Sequence, residues 1–247
     1  HWGRVRHFSI RCSSSRKRLL RLLERSQDEV GPEMTRSVDL KMPKQSNPFA
    51  DGSISDSGKP RILYAKGFLE TSYASRLMDL LKKNAEWHQP RIFIYGRWVQ
   101  SPRLAAWYGD KGAVYRYSSM TNQPLPWIDE LLELRRMVIQ ACGSCFNSVL
   151  ANYYRNGADS MGWHSDDERE LGPDPLIASV SLGGNRRFLF RHRKDKHAAK
   201  YEVILEHGSL LVMDRGVQGE WQHAIPKTKR EVLPRINLTF RNVEKSS

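Results

Sequence analysis

The order of patterns along the 247 residues predicts an α+β fold built on a β-sandwich or jelly roll. Two stretches with helical spacing come first, at Ser72 to Asn84 and at Trp127 to Ala141. From Asn147 onward the pattern changes to short strand-like runs, at 147–154, 176–182, 186–192, 201–206, 209–213 and 235–243. Glycines at 157, 172, 183, 184, 208, 216 and 219 punctuate these runs, as turns between strands require. Helices first and spaced strands afterwards are what segregated α and β layers look like in a sequence.

Residues 1–33 are basic and Ser-containing, with Arg4, Arg6, Arg11, Arg16, Lys17, Arg18, Arg21 and Arg25 around leucines at 19, 20, 22 and 23. They are similar to an organelle transit segment, and sequence upstream of a start at Met34 fits them equally. Residues 41–60 are turn formers with little apolar content and read as a flexible linker. Hence 1–60 is expected to be a basic tail and linker, with the folded domain at 61–247. Ile62-Leu63-Tyr64 is a short strand, and Ser72 is the expected N-cap of the first helix.

Composition narrows the function. The chain is 39% hydrophobic, enough for one sizeable core, with a mean hydropathy of −0.61. No apolar run approaches the ~20 residues of a membrane span, so no membrane association is expected. No fixed repeat supports a coiled coil, collagen or a solenoid. The net charge is +13. Residues 34–247 keep 32 basic against 23 acidic residues, so the main body is itself basic and attracts polyanions, nucleic acid foremost. Three cysteines are too few for a disulfide framework, which points to an intracellular, reducing compartment: nucleus or organelle in a eukaryote, cytoplasm in a bacterium. Cys142-Gly-Ser-Cys145 lacks the two further ligands of a zinc site and reads as a pair of helix-end cysteines.

The chemistry lies in His164-Ser165-Asp166, followed 57 residues after the Asp by His223. Residues two apart in extended chain face the same way, so His164 and Asp166 can meet one metal. A third ligand from a distant strand gives two imidazoles and a carboxylate, the facial set of non-haem Fe(II) oxygenases. Then Arg235 to Arg241 alternates strictly. Ile236, Leu238 and Phe240 form an apolar face; Arg235, Asn237, Thr239 and Arg241 form a polar one. A solvated strand face would explain two arginines. Placed inside a barrel beside the metal, the same arginines would clamp a dicarboxylate. Asn152 and Tyr154 share one strand face upstream of His164.

The segments NYYRNGADSMGWHSDDE, ASVSLGGNRRFLFRHR, EHGSLLVM, WQHAIPK and PRINLTFR closely resemble the AlkB family of dioxygenases, over about Pro60 to Val243. IYGRW, PRLAAWYGDKGAVYRY and DDEREL are most similar to the duplex-DNA repair branch of that family; a sister branch shares AWYG and WHSDDE. The resemblance implies a double-stranded β-helix (jelly roll) with flanking N-terminal helices. It implies Fe(II) on His164, Asp166 and His223, and 2-oxoglutarate contacted by Asn152, Tyr154, Arg235, Asn237, Thr239 and Arg241, with O2 as second co-substrate. Arg241 is expected at the far carboxylate and Arg235 at the metal side. The implied reaction is oxidative demethylation of 1-methyladenine and 3-methylcytosine in DNA, releasing formaldehyde, succinate and CO2.

For the substrate, the resemblance places Tyr95 at a base-inserting finger, flanked by Gly96 and Arg97. Tyr115 and Tyr117 are expected to line the base pocket, and Asp167 and Glu168 to favour a cationic methylated base over a neutral one. Arg97, Arg103 and Arg116 are candidate phosphate contacts. So is the basic stretch of Arg186, Arg187, Arg191, His192, Arg193, Lys194 and Lys196, chiefly its 191–196 part. Duplex and single-stranded alkylated DNA are the expected partners of a monomer. Methylated RNA as substrate, and a non-catalytic jelly-roll binding module, are the competing readings.

Overall fold

A computed structural model describes residues 58–244 except 95, 114, 118 and 119, with the backbone alone at 94, 115–117 and 120–122. The basic tail and almost all of the expected linker lie outside the described residues. The chain enters on β1 (Ile62–Ala65) and α1 (Thr71–Asn84), then runs through two hairpin strands, β2 (Arg91–Ile94) and β3 (Arg97–Gln100). Next come β4 (Leu104–Gly109), β5 (Tyr115–Tyr117), β6 (Met120–Asn122) and α2 (Asp129–Cys142). The second half is β7 (Ser148–Tyr154), β8 (Met161–His164), β9 (Ile177–Gly183), β10 (Arg186–His192), β11 (Tyr201–Leu205) and β12 (Ser209–Met213). A four-residue helix α3 (Val217–Glu220) then leads into β13 (Trp221–Ile225), and β14 (Arg235–Arg241) completes the fold.

Two large antiparallel sheets result, one of six strands in the order β1-β12-β9-β14-β7-β4 and one of four in the order β11-β10-β13-β8, with β2-β3 and β5-β6 as separate two-stranded pairs. Strand alternation separates two cores. On the outer side of the six-stranded sheet, Val149, Ala151, Val180, Leu182, Ile236, Leu238 and Phe240 share one cluster with Leu77 and Leu81 of α1 and Leu134 and Val138 of α2. The inner side shares a second cluster with the four-stranded sheet, formed by Tyr154, Ile177, Phe188, Phe190, Leu211, Met213, Trp221 and Ile225. Central β14 pairs with β7 on one side and β9 on the other, so its polar face is turned into the protein rather than to water.

The strands read from the sequence agree with the observed ones to within two residues at either end. β2, β3, β4, β6, β8 and β13 are not among the strands read from the sequence, because they are short or lack alternation; β8 is only Met-Gly-Trp-His. The first helix begins at Thr71, and the expected Ser72 cap is absent: Glu70 holds the N-cap position without a side-chain bond. The cause is tertiary. Leu69 is 2% exposed, and its N–H is taken by the Gly208 carbonyl at 2.9 Å, which starts the helix one residue early. The second helix starts two residues later than expected and ends on Cys142, a buried free thiol, as a helix-end cysteine should be.

Gly183 shows why glycines mark the β9–β10 corner. Its φ is +87°, and a Cβ there would lie 2.3 Å from the Pro234 carbonyl oxygen just ahead of β14. Only glycine meets both constraints. For the sheet–helix core, Leu238→Ala is expected to destabilise the protein by about 2–5 kcal/mol, since it empties a wholly buried site between β14 and its packed neighbours. Denaturant titration measures it, with the midpoint falling at unchanged slope.

Candidate metal centre and co-substrate cavity

His164 ends β8 and His223 lies in the middle of β13, and the two face each other across one antiparallel pair. Asp166 follows two residues after His164. The pairing brings one donor atom from each of the three within 4.8 Å of the others, close enough to hold one ion. The imidazole centroids lie 4.2 Å apart, and Nε2 of His223 is 3.8 Å from an Asp166 oxygen. Nδ1 of His164 lies 2.9 Å from the Gly162 carbonyl, which can only accept. Nδ1 therefore carries the proton, leaving the Nε2 lone pair free for a metal. Phe188 and Phe190 pack on the His223 ring, and its Nδ1 is buried with no hydrogen-bond partner among the described residues.

Burial disfavours charge on Asp166, but Arg241, His223 and His164 outweigh it and hold the carboxyl below its ordinary range. The side chain of Arg241 donates directly to the Asp166 carboxylate. Burial drives His223 the other way, pushing its imidazole down to about 3; His164 and Arg241 add to this and Asp166 opposes it. An ionised carboxylate beside the neutral imidazole of His223 is the protonation state that metal binding needs.

The polar face of β14 continues from this triad. Arg235, Asn237, Thr239 and Arg241 are all buried, so the solvated-face alternative is excluded. Asn237 links its neighbours: Oδ1 accepts from Arg235 and from Ser179 Oγ at 2.7 and 2.9 Å, and Nδ2 donates to Thr239 at 2.7 Å. Across the β14–β7 pair, Asn152 stands opposite Asn237, and Tyr154 opposite Arg235. A cavity between the sheets runs along this row, with the triad, Asn152, Tyr154, Asn237, Thr239 and Arg241 on its polar side. Leu150, Met161, Phe188, Met213 and Ile225 form its apolar side.

Arg235 is 0% exposed. One terminal nitrogen binds Ser181 Oγ and Asn237, while Nε and Nη1 have no hydrogen-bond partner. No ion pair to it occurs among the described residues. The Tyr154 ring lies 5.3 Å from the guanidinium, and burial pulls its pKa down to about 10. A cation so placed is an anion site in waiting. Arg241, expected at the far carboxylate, instead stands at the metal end, bonded to Asp166. Arg235, expected on the metal side, stands beside Tyr154 and Ser181, where cross-strand register sets it.

These features decide the comparison with known proteins. The family model described as the 2OG-Fe(II) oxygenase superfamily matches residues 61–241. The mouse DNA oxidative demethylase ALKBH2 is 38% identical over 234 residues, covering 91% of this chain and 94% of that protein. The chain belongs to the AlkB family of 2OG-Fe(II) oxygenases. The bovine alpha-ketoglutarate-dependent dioxygenase alkB homolog 3 is 39% identical over 199 residues, covering 77% of this chain and 69% of that one. In fold it is similar to the solved structure of OsALKBH1, at a TM-score of 0.53 and 20% identity, covering 74% of this chain and 99% of that chain. This AlkB-family chain is therefore an Fe(II)- and 2-oxoglutarate-dependent dioxygenase with a jelly-roll fold, and His164, Asp166 and His223 are its metal-binding triad.

The remaining candidates divide. Arg103, a candidate phosphate contact, is half-buried and held within the protein, donating to Asn152 at 2.7 Å and to Ser101 at 3.0 Å. Gly96, at φ +78°, lies between β2 and β3, and Arg97 is exposed beside it; Tyr95 lies outside the described residues. Tyr115 and Tyr117 share β5, with side chains outside the described residues. Asp167 is bound to Arg193 at 2.6 Å, so its charge is already shared, and Glu168 is half-buried next to it.

The basic stretch is less available than its composition implies. Arg186 is buried against the carbonyls of Asn156, Asp159 and Pro226, and Arg187 pairs with Glu202. Arg191 binds Gln222 and stacks over Trp163, which with Arg193 on Asp167 leaves Lys194 and Lys196 as the exposed cations of 191–196 without those ties. Sequence reading missed Gln218, whose side chain binds the Asp166 backbone, and the apolar wall of the cavity; neither shows a local pattern.

The His223 shift sets a pH dependence. In the unfolded chain the imidazole takes up a proton near 6.5, in the folded chain only near about 3. Between those values the unfolded state binds more protons, so stability falls as pH drops through that window. Denaturant titrations of metal-free protein across pH 7 to 4 should show this loss, and His223→Gln should lessen it.

Proposed function

We propose that this chain removes methyl groups from alkylated DNA bases by oxidation, and that duplex as well as single-stranded DNA is accepted. The observation that carries the reading is the fully buried Arg235, without an ion-pair partner among the described residues, set against Tyr154 of the cavity that also holds the metal triad, in a chain related to DNA oxidative demethylases. Bound Fe(II) with 2-oxoglutarate and O2 supplies the oxidation of a C–H bond, and the hydroxymethyl product on the base nitrogen breaks down to formaldehyde and the restored base.

The protein's share is placement. His164 Nε2, Asp166 and His223 hold the ion. Arg241 keeps Asp166 ionised. Arg235 with Ser181 and Tyr154 takes the far carboxylate of 2-oxoglutarate, and Asn152 and Asn237 line its length. The apolar wall of Leu150, Met161, Phe188, Met213 and Ile225 keeps water from the reacting centre. A cationic methylated base is drawn by the carboxylates of Asp167 and Glu168, the charge of Asp167 being shared with Arg193. Tyr95 supplies an aromatic ring to fill the gap left by a flipped base. Lys194 and Lys196, with Arg97, contact phosphates.

The reading is tested on oligonucleotides carrying one 1-methyladenine, single-stranded and duplex, with Fe(II), ascorbate and with or without 2-oxoglutarate. Mass spectrometry should show loss of the methyl group from both, only when 2-oxoglutarate is present. Succinate formation without demethylation would reject DNA and turn attention to RNA. Arg235→Met should raise the KM for 2-oxoglutarate by about 30-fold or more, because truncation leaves a carboxylate buried without its cation. An unchanged KM in succinate-release kinetics would remove Arg235 from the site.

A further inference from the structure

Asp166 faces competing attractions. Its carboxylate must serve the metal, yet Arg241 donates to the same carboxylate from β14. A carboxylate pulled from one side stays in place only if its backbone is anchored. The amide N–H of Asp166 donates to Oε1 of Gln218 at 2.9 Å. Gln218 is 2% exposed, lies in α3 and precedes His223 by five residues. Its Nε2 makes a weak bond to the Met213 sulfur at 3.5 Å, and Met213 lines the metal cavity.

The residues on either side of Asp166 are tied to the same region. Ser165 Oγ donates to the Trp221 carbonyl at 2.9 Å, and Arg193 bridges Asp167 and the Gln218 carbonyl at 2.6 and 3.0 Å. Ser165 and Asp167 are held at the edge of the loop, near solvent. The Gln218 bond is made to the backbone of Asp166 itself, in a buried setting.

We infer that Gln218 is a positioning residue of the metal centre: its side-chain oxygen anchors the Asp166 backbone, directs the carboxylate to the ion against the pull of Arg241, and so sets metal affinity. The inference rests on the family's metal chemistry and not on the choice of DNA as substrate. Without the acceptor the Asp166 N–H is buried and unbonded, and the loop must shift to satisfy it. Partners that orient a metal ligand in this way are worth about 10- to 100-fold in affinity.

The test uses the full chain, with Mn(II) alone as the probe, in the parent and in Gln218→Leu and Gln218→Glu. Leucine removes the acceptor at similar size; glutamate keeps an oxygen in the same place. Thermal melting of the metal-free proteins reports folding, and Mn(II) titration reports affinity. The expected result is a folded Gln218→Leu protein that binds Mn(II) about tenfold or more weakly, with Gln218→Glu restored to the parent's affinity or above it. Equal affinity in Gln218→Leu, or an equal loss in both variants, overturns the inference. If Gln218→Leu does not fold, Gln218→Glu and amide hydrogen exchange of the metal-free parent decide. A slowly exchanging Asp166 N–H with retained Mn(II) affinity in Gln218→Glu supports the anchor, and a freely exchanging one overturns it. Because Mn(II) binding needs no nucleic acid, failure here is distinct from failure of DNA demethylation.

Discussion

The wholly buried guanidinium of Arg235 constrains the rest of the structure. Two of its nitrogens have no hydrogen-bond partner, and no acid among the described residues pairs with it. Burying a cation in this way is costly unless something else binds it. The surrounding elements are arranged to bear that cost: Ser181 and Asn237 satisfy one nitrogen, the Tyr154 ring faces the guanidinium, and Gly183 lets the chain before β14 pass close by.

From that cation the interior grades into the metal site along one strand face. Arg241, six residues on, is matched by Asp166, so the two arginines of β14 are not equivalent. One is committed to a protein carboxylate that also serves a metal; the other is left for a ligand. The same division recurs at the mouth of the site. Arg191 and Arg193 are held by Gln222 and Asp167, whereas Lys194 and Lys196 are exposed. Net charge therefore overstates how many cations can meet a phosphate.

Much of this was legible in the residues. The alternation from Arg235 to Arg241 marked a strand with two unlike faces, and HxD with a distant His marked a facial metal set. Helix positions were close because their apolar spacing spans several turns. The failures were of another kind. β8 and β13 carry two of the three metal ligands and went unread, since four or five residues hold too few alternations to register. The Ser72 cap failed because docking of Leu69 overrode a local preference.

By itself the sequence determined the donor types, their order and which residues share a strand face, because these follow from side-chain chemistry and a period of two. Tertiary structure alone decided which arginine meets the metal ligand, which acidic group has lost its freedom to Arg193, and that Gln218 stands behind Asp166. Those choices depend on cross-strand register and on how two sheets stack, and long side chains take their partners from that packing. No local pattern encodes a contact between residues 52 positions apart, such as Asp166 and Gln218.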